Sequence, residues 1–336
     1  MVRKTFVALV FSVSSLSLIT GCGGAPSASL TVYSGQHPQL MAKLVSAFEA
    51  KTSRSVALRS ASEQVLVSQV VTEASHSPAD VVVTENAPAM NALAEHHLAM
   101  RLPTRQLAQL AVEARGPGRA WAGVSRRVNV LVYDAERVKA NELPRRIEDL
   151  AQARFKDLLG LAPAESDFSP VVSAFEYLHG HSATLAWLTA MKANASKHLL
   201  PDNEALLNQM ALGQIGIATM DQYYWYRFHH DGGDARVKMI AFAPGGTGNV
   251  IGVSAAAIMK YAPHPSAARA FLEFLISPEG QRIVAESGSF EYPTSPFAPT
   301  PKGLPPISKY GPSSVSPVAL GSGHAALELL QEVQLL

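Results

Sequence analysis

Asp80-Val81-Val82-Val83-Thr84-Glu85 is the stretch on which the architecture turns. Three consecutive valines, with no polar and apolar alternation, describe a strand covered on both faces, as in a parallel sheet between helices. Upstream, Leu30-Thr31-Val32-Tyr33 is β-rich, and Leu40, Met41, Leu44, Val45 and Phe48 follow at helical spacing. The strand signal returns at Val128-Asn129-Val130-Leu131-Val132-Tyr133, Leu159-Gly160-Leu161-Ala162 and Ile215-Gly216-Ile217-Ala218-Thr219-Met220, and again over residues 250–259. Helical patterns over 183–193, 204–211, 266–276 and 325–330 lie between and after them, and residues 293–306, rich in proline, predict an extended surface crossing. Short apolar strands alternating with amphipathic helices predict α/β architecture with mostly parallel sheets.

In such sheets ligands bind beyond the carboxyl ends of the strands. Three chemically capable residues share that address: His37 in the loop after the first strand, Glu85 directly after the valines, and Tyr223 after the 215–220 run. Tyr224 stands beside Tyr223 in Asp221-Gln222-Tyr223-Tyr224-Trp225. Adjacent aromatics by themselves more often pack than ligate, so the case rests on the shared address. One imidazole, one carboxylate and two phenols make an oxygen-dominated set suited to a hard, highly charged cation, and ferric ion is the candidate. A free phenol ionises only near pH 10, about the top of the biological range, so a tyrosine pair is useful mainly to a metal acidic enough to displace both protons.

The ends of the chain bear on its location. Met1-Val2-Arg3-Lys4 is basic, residues 6–19 are largely apolar, and Ile19-Thr20-Gly21-Cys22 closes the segment, so residues 1–21 read as a secretory signal. Ile-Thr-Gly-Cys resembles the lipobox of bacterial lipoproteins, which makes Cys22, the only cysteine, a lipidation site. Residues 22–29 are small and form a flexible tether. The expectation is a monomer held outside the cytoplasm on a bacterial membrane, in the periplasm or at the cell surface.

The mature chain of about 310 residues is long enough for two domains. A net charge of +1, from 28 basic and 27 acidic residues with no long run of either sign, argues against a nucleic-acid partner. His96-His97, His179-Gly180-His181 and His229-His230 lack the spacing that sets two imidazoles on one helical face. Gly245-Gly246-Thr247-Gly248 lacks the lysine of a phosphate loop, and no Gly-x-Ser-x-Gly elbow occurs. Nothing points to catalysis, and the chain is read as a binding protein and not an enzyme.

Thr31-Val32-Tyr33-Ser34-Gly35-Gln36-His37, Ser77-Pro78-Ala79-Asp80-Val81, Gln222-Tyr223-Tyr224-Trp225, Ser277-Pro278-Glu279-Gly280-Gln281 and Glu291-Tyr292-Pro293 together resemble the ferric-ion-binding periplasmic proteins of ABC iron importers. The resemblance implies a two-lobed type II periplasmic binding fold that closes on a hinge. It assigns residues 30–127 and 254–304 to the first lobe and 128–253 and 305–336 to the second, with crossovers near Arg127 to Val130 and Val250 to Ser254. It implies that His37 and Glu85 meet Tyr223 and Tyr224 across the cleft on Fe3+, the transported substrate, and that an ABC permease and ATPase complex receives it.

The family often adds a synergistic anion held by a Ser-Gly-Ala stretch and asparagines. Here Glu165-Ser166-Asp167 stands in that place, Asp221 replaces an asparagine, Asn203 is retained and Asn86 stands where a glutamine is usual. Three carboxylates in such a pocket repel phosphate, which is disfavoured. Arg127 matches the first arginine of the family's Arg-x-Arg-Val strand and could assist carbonate, although Asn129 replaces the second. Water, or a carboxylate from Glu165, Asp167 or Asp221, would then complete the metal sphere. Two other functions fit the same residues: an importer's binder of an organic cation, such as a polyamine or thiamine, and a secreted metal-dependent hydrolase.

Overall fold

The computed structural model describes residues 30–336. The signal segment, Cys22 and the tether lie outside the described residues. The strand built on the valines, β3 (Val81–Thr84), lies parallel to β1 (Leu30–Ser34), which lies parallel to β2 (Val56–Ser60). Asp80, fully buried just ahead of the valines, accepts hydrogen bonds from Thr31 N at 2.8 Å and His264 N at 2.6 Å. It thus ties the start of β1 to a distant helix. The other edge of β3 pairs antiparallel with β7 (Ile251–Ile258).

One long strand, β4 (Ala122–Asp134), serves both halves of the molecule. Its first part, through Val128, pairs with β7, and β8 (Tyr292–Pro293) pairs with Ser125 and Arg126. From Asn129 onward it pairs antiparallel with β5 (Ile217–Asp221) and β6 (Val237–Ile240). The changeover therefore falls between Val128 and Asn129. Asn129 N donates to Val250 O at 3.0 Å, so the outgoing and returning crossings lie side by side.

Helices cover both faces, as continuous apolar strands require. In the first half, α1 (Pro38–Thr52) buries Leu40, Met41, Leu44, Val45 and Phe48. It packs with α9 (Pro265–Leu275), where Phe48 meets Phe271 edge-on at 5.0 Å, and with α10 (Pro278–Glu286). α2 (Glu63–Glu73) and α3 (Ala87–Glu95) carry Leu66, Val70, Met90 and Leu93 into another core that also holds Val128, Leu206 and Tyr223. A four-residue α4 (Thr104–Leu107) follows. In the second half, α5 (Phe168–His179), α6 (His181–Asn194) and α11 (His324–Glu332) enclose one core, while α7 (Asn203–Ala211) and α8 (Gln222–His230) lie with the other.

The strand expected at 159–162 is reduced to single parallel bridges, Leu159 with Ile217 and Leu161 with Leu199. Gly160 is wedged against Leu206 and Ile215, and Pro163 then carries the chain into the loop that holds residues 165–167. Among the described residues no helix is long and apolar enough to cross a membrane.

Candidate functional site

The first-half side of the site is the loop from β1 into α1. Gly35 permits its close approach: a Cβ there would lie 2.8 Å from Glu63 Cβ. Gln36, buried, accepts from His37 N at 2.6 Å and donates to Ser125 Oγ and Glu291 Oε2, both at 3.1 Å. His37 Nδ1 lies 2.9 Å from Glu291 Oε1, while Nε2 points the other way, 3.3 Å from Glu85 Oε1. A carboxylate that holds Nδ1–H fixes the ring and leaves the Nε2 lone pair toward Glu85, the arrangement in which imidazoles ligate metals.

Burial penalises the Glu291 charge, yet the hydrogen bond and charge of His37, with Arg127 and Ser125, outweigh it and hold this carboxyl at about 2. Burial likewise opposes protonation of His37, and Glu291 and Glu85 reverse the sign and raise its pKa.

The second-half side begins where β5 ends at Asp221 and α8 starts, which sets Tyr223 and Tyr224 in the first helical turn. Their rings lie 4.1 Å apart at 30°, and Tyr223 meets the His37 ring edge-on at 4.9 Å. Tyr223 O–H donates to Asp167 Oδ2 at 3.2 Å and Tyr224 O–H to Glu165 Oε2 at 2.8 Å. Between those two carboxylates, Ser166 O–H reaches across to Glu85 Oε2 at 2.7 Å. One turn on, the Arg227 guanidinium covers both rings, 5.3 and 5.2 Å from their centres, and pairs with Glu204 at 2.6 Å. Burial, and then the Asp167 charge, push both phenols above their ordinary pKa. Without a bound cation they stay protonated.

Arg127 sits at the strand changeover with a fully buried side chain. Its Nε stands 2.8 Å from Asp221 Oδ2 and 3.3 Å from Asp167 Oδ1. Nη1 is 3.6 Å from Glu291 Oε2, and Nη2 donates to Asn86 Oδ1 at 2.9 Å and to the Glu85 carbonyl. These carboxylates raise its pKa against the cost of burial. The residue that the family resemblance offers to an anion is already held by the protein's own acids.

The remaining acids lack enough positive charge. Burial first, then Asp167, push Glu165 up to about 7, and the same two causes, against the pull of Arg127, raise Asp221. Burial and then Asp167 also raise Glu85. Glu63, enclosed behind Gly35 and hydrogen-bonded by Asn86 N at 2.8 Å, is pushed up to about 8 by burial and the Glu85 charge.

A carboxyl whose pKa rises on folding stabilises most below its unfolded value near 4.5 and loses that contribution as pH rises through about 8. Glu63→Gln mimics the protonated acid. It should leave thermal stability at pH 5 nearly unchanged and raise it at pH 9, and a variant less stable than wild type at pH 9 would contradict this placement.

His37, Glu85, Tyr223, Tyr224, Glu165, Ser166, Asp167, Asp221 and Arg127 thus form one contiguous cluster across the join of the two halves. Asn203, buried at the start of α7, makes none of the hydrogen bonds of that cluster. Among the described residues no three His, Cys, Asp or Glu side chains already converge as a metal-holding group. Glu291, Gln36, Ser125 and Glu63 carry roles here that the sequence reading did not assign. Glu291 lies in a motif that reading singled out, but its pairing with His37 spans 254 positions and leaves no local signal. A cleft of about 600 Å³ adjoins the cluster, walled by Val67, Asn86 and Pro88 on one side and Pro163, Ser166 and Leu327 on the other.

Residues 76–315 match the family model of the bacterial extracellular solute-binding proteins. The Fe(3+)-binding periplasmic protein of Serratia marcescens is 30% identical over 326 residues, 96% of each chain. The major ferric iron-binding protein of Neisseria meningitidis is 31% identical over 91% of this chain and 92% of its own. Iron-bound HitA from Pseudomonas aeruginosa superposes with a TM-score of 0.86 at 30% identity, covering 90% of this chain and 98% of that one. This two-lobed chain therefore belongs to the bacterial extracellular solute-binding proteins, non-enzymatic components of transport, and the Serratia and Neisseria relatives it matches over nine-tenths of its length or more are ferric-ion-binding proteins.

Proposed function

We propose that this protein is an extracytoplasmic lipoprotein that captures ferric ion by hinge closure and delivers it to the permease and ATPase of an ABC importer. The observation that carries the reading is the close, tilted Tyr223–Tyr224 pair, with Tyr223 set edge-on against His37, whose Nε2 faces Glu85. His37 Nε2, Glu85 and the two phenolates are the ligands, drawn from both sides of the join. Because the phenols are protonated in the empty protein, only a strongly acidic cation such as Fe3+ displaces both protons. Affinity then falls as pH falls.

The lobes are residues 30–127 with 254–304, and 128–253 with 305–336, and the strand changeover beside Asn129 and Val250 supports a hinge there. Cys22, lipidated after removal of residues 1–21, anchors a monomer to the membrane beside its permease. Globomycin, which blocks lipoprotein signal cleavage, should leave the chain uncleaved, and a cleaved, unlipidated product would refute the anchor.

Titration of metal-stripped protein with ferric citrate should give a visible tyrosinate charge-transfer band that saturates at one equivalent. A folded protein without any band would sink the iron reading in favour of an organic-cation binder. Glu291→Gln keeps an acceptor for His37 Nδ1 but removes its charge. Loss of such an outer partner costs roughly 10–100-fold in metal affinity. The variant should keep the band, since both phenolates remain, and bind iron more weakly in competition with a chelator. Unchanged affinity would mean that Glu291 serves only the fold.

A further inference from the structure

The cluster holds acids where the family places an exogenous anion, and the geometry distinguishes what each of them does. Asp221 is the acid nearest the guanidinium: its Oδ2 lies 2.8 Å from Arg127 Nε. Glu165 and Asp167 face the phenol oxygens instead, at 2.8 and 3.2 Å. A hard octahedral cation with oxygen ligands at about 2.0–2.1 Å sets neighbouring ligand atoms roughly 2.9 Å apart. The two phenol–carboxylate pairs are close to that spacing, and the His37 Nε2 to Glu85 Oε1 pair, at 3.3 Å, is slightly wider. Each pair thus has nearly the separation of two adjacent ligands on one ion. Four ligands from His37, Glu85 and the tyrosines leave two of six positions, and two carboxylates remain.

Two further observations point the same way. Asp167 is only 5% exposed, and its Oδ1 makes no hydrogen bond and stands farther from Arg127 Nε, at 3.3 Å, than Asp221 Oδ2 does. Arg127, the cation an entering anion would need, is enclosed by Asp221, Asp167, Glu85 and Glu291. Phosphate would have to displace a buried ion pair to reach it.

We propose that Glu165 and Asp167 take the place of the exogenous anion, so that ferric ion is held by protein groups alone. This inference rests on the ferric-ion reading above. Ser166, bonded to Glu85 at 2.7 Å, couples the loop bearing both carboxylates to a ligand of the opposite half. Closure that draws Glu85 onto the metal draws the two carboxylates with it.

The test loads metal-stripped protein with one equivalent of ferrous perchlorate, oxidised in place by CO2-free air, in HEPES buffer without phosphate or carbonate. The tyrosinate band should develop fully. Phosphate added afterwards should change neither its position nor its intensity, and should not co-elute with the protein. Glu165→Gln/Asp167→Asn keeps the shapes and the acceptors for the phenols while removing two negative charges from the pocket beside Arg127. That variant should lose at least tenfold in iron affinity without anion, about 1.4 kcal/mol, and recover it with phosphate. Carboxylates that merely position the phenols would leave wild type and variant alike in both buffers, and that result overturns the proposal. A wild-type band that appears only after phosphate or carbonate is added also overturns it, while leaving the iron reading intact. No band under any condition overturns both.

Discussion

Tyr223→Phe/Tyr224→Phe should abolish the visible ferric band and lower iron affinity by roughly a thousandfold or more, about 4 kcal/mol. Both phenols are interior groups in the first turn of α8, and their hydroxyls face Asp167 and Glu165. Removing the hydroxyls keeps the paired rings and the cover of Arg227, so the fold should persist. On the proposed site the change removes both phenolate ligands, a larger loss than the roughly 10–100-fold cost of an outer partner. Equilibrium dialysis against a ferric chelator, with circular dichroism as the folding control, reads the effect. Retention of one tightly held iron per folded variant would remove the tyrosines from the site.

Arg127→Met should be the most destabilising single change in the cleft. Its stem packs under Gly252, where a Cβ would lie 2.9 Å from Arg127 Cγ, so methionine preserves much of the packing. The guanidinium, however, is the positive partner of Asp221 at 2.8 Å and Asp167 at 3.3 Å. Stripping one partner from a buried ion pair costs about 3–5 kcal/mol, because the other charge stays buried and uncompensated. At roughly 2–4 °C per kcal/mol, melting of the metal-free protein should fall by about 6–20 °C. The loss should be larger at pH 8 than at pH 5, since the orphaned Asp221, whose pKa burial already raises, can take up a proton in acid. Asp221→Asn in the same chain should restore part of the stability. A melting temperature within about 2 °C of wild type at pH 8 would show that water already serves these acids.

What the sequence made legible was local. Val81–Thr84 and Leu30–Ser34 declare themselves by composition, and strand ends in such folds mark His37, Glu85 and Tyr223 as candidates, which the structure gathers in one cluster. β2 and β6 escape because their short, partly exposed runs, Val56–Ser60 and Val237–Ile240, carry no continuous apolar signal. The role of Arg127 escapes for another reason. An arginine beside a cleft reads as an anion binder, and only the packing shows that acids from residues 85, 167, 221 and 291 have already claimed it. Glu63 is of the same kind: its burial follows from the close approach of Gly35, a contact between segments that no periodicity records.

The pairing of β3 with β7 joins Val81 to Ile258, and β4 then completes the same sheet from residues 122–128. A chain emerging from its N-terminus therefore holds three mutually parallel strands with an unpaired inner edge until most of the sequence has followed. Such long-range closure slows folding and lets the first lobe settle only after the last part of its sheet arrives. For a protein that works outside the cytoplasm, that delay keeps the first lobe from setting into a stable globule while much of the chain is still to follow.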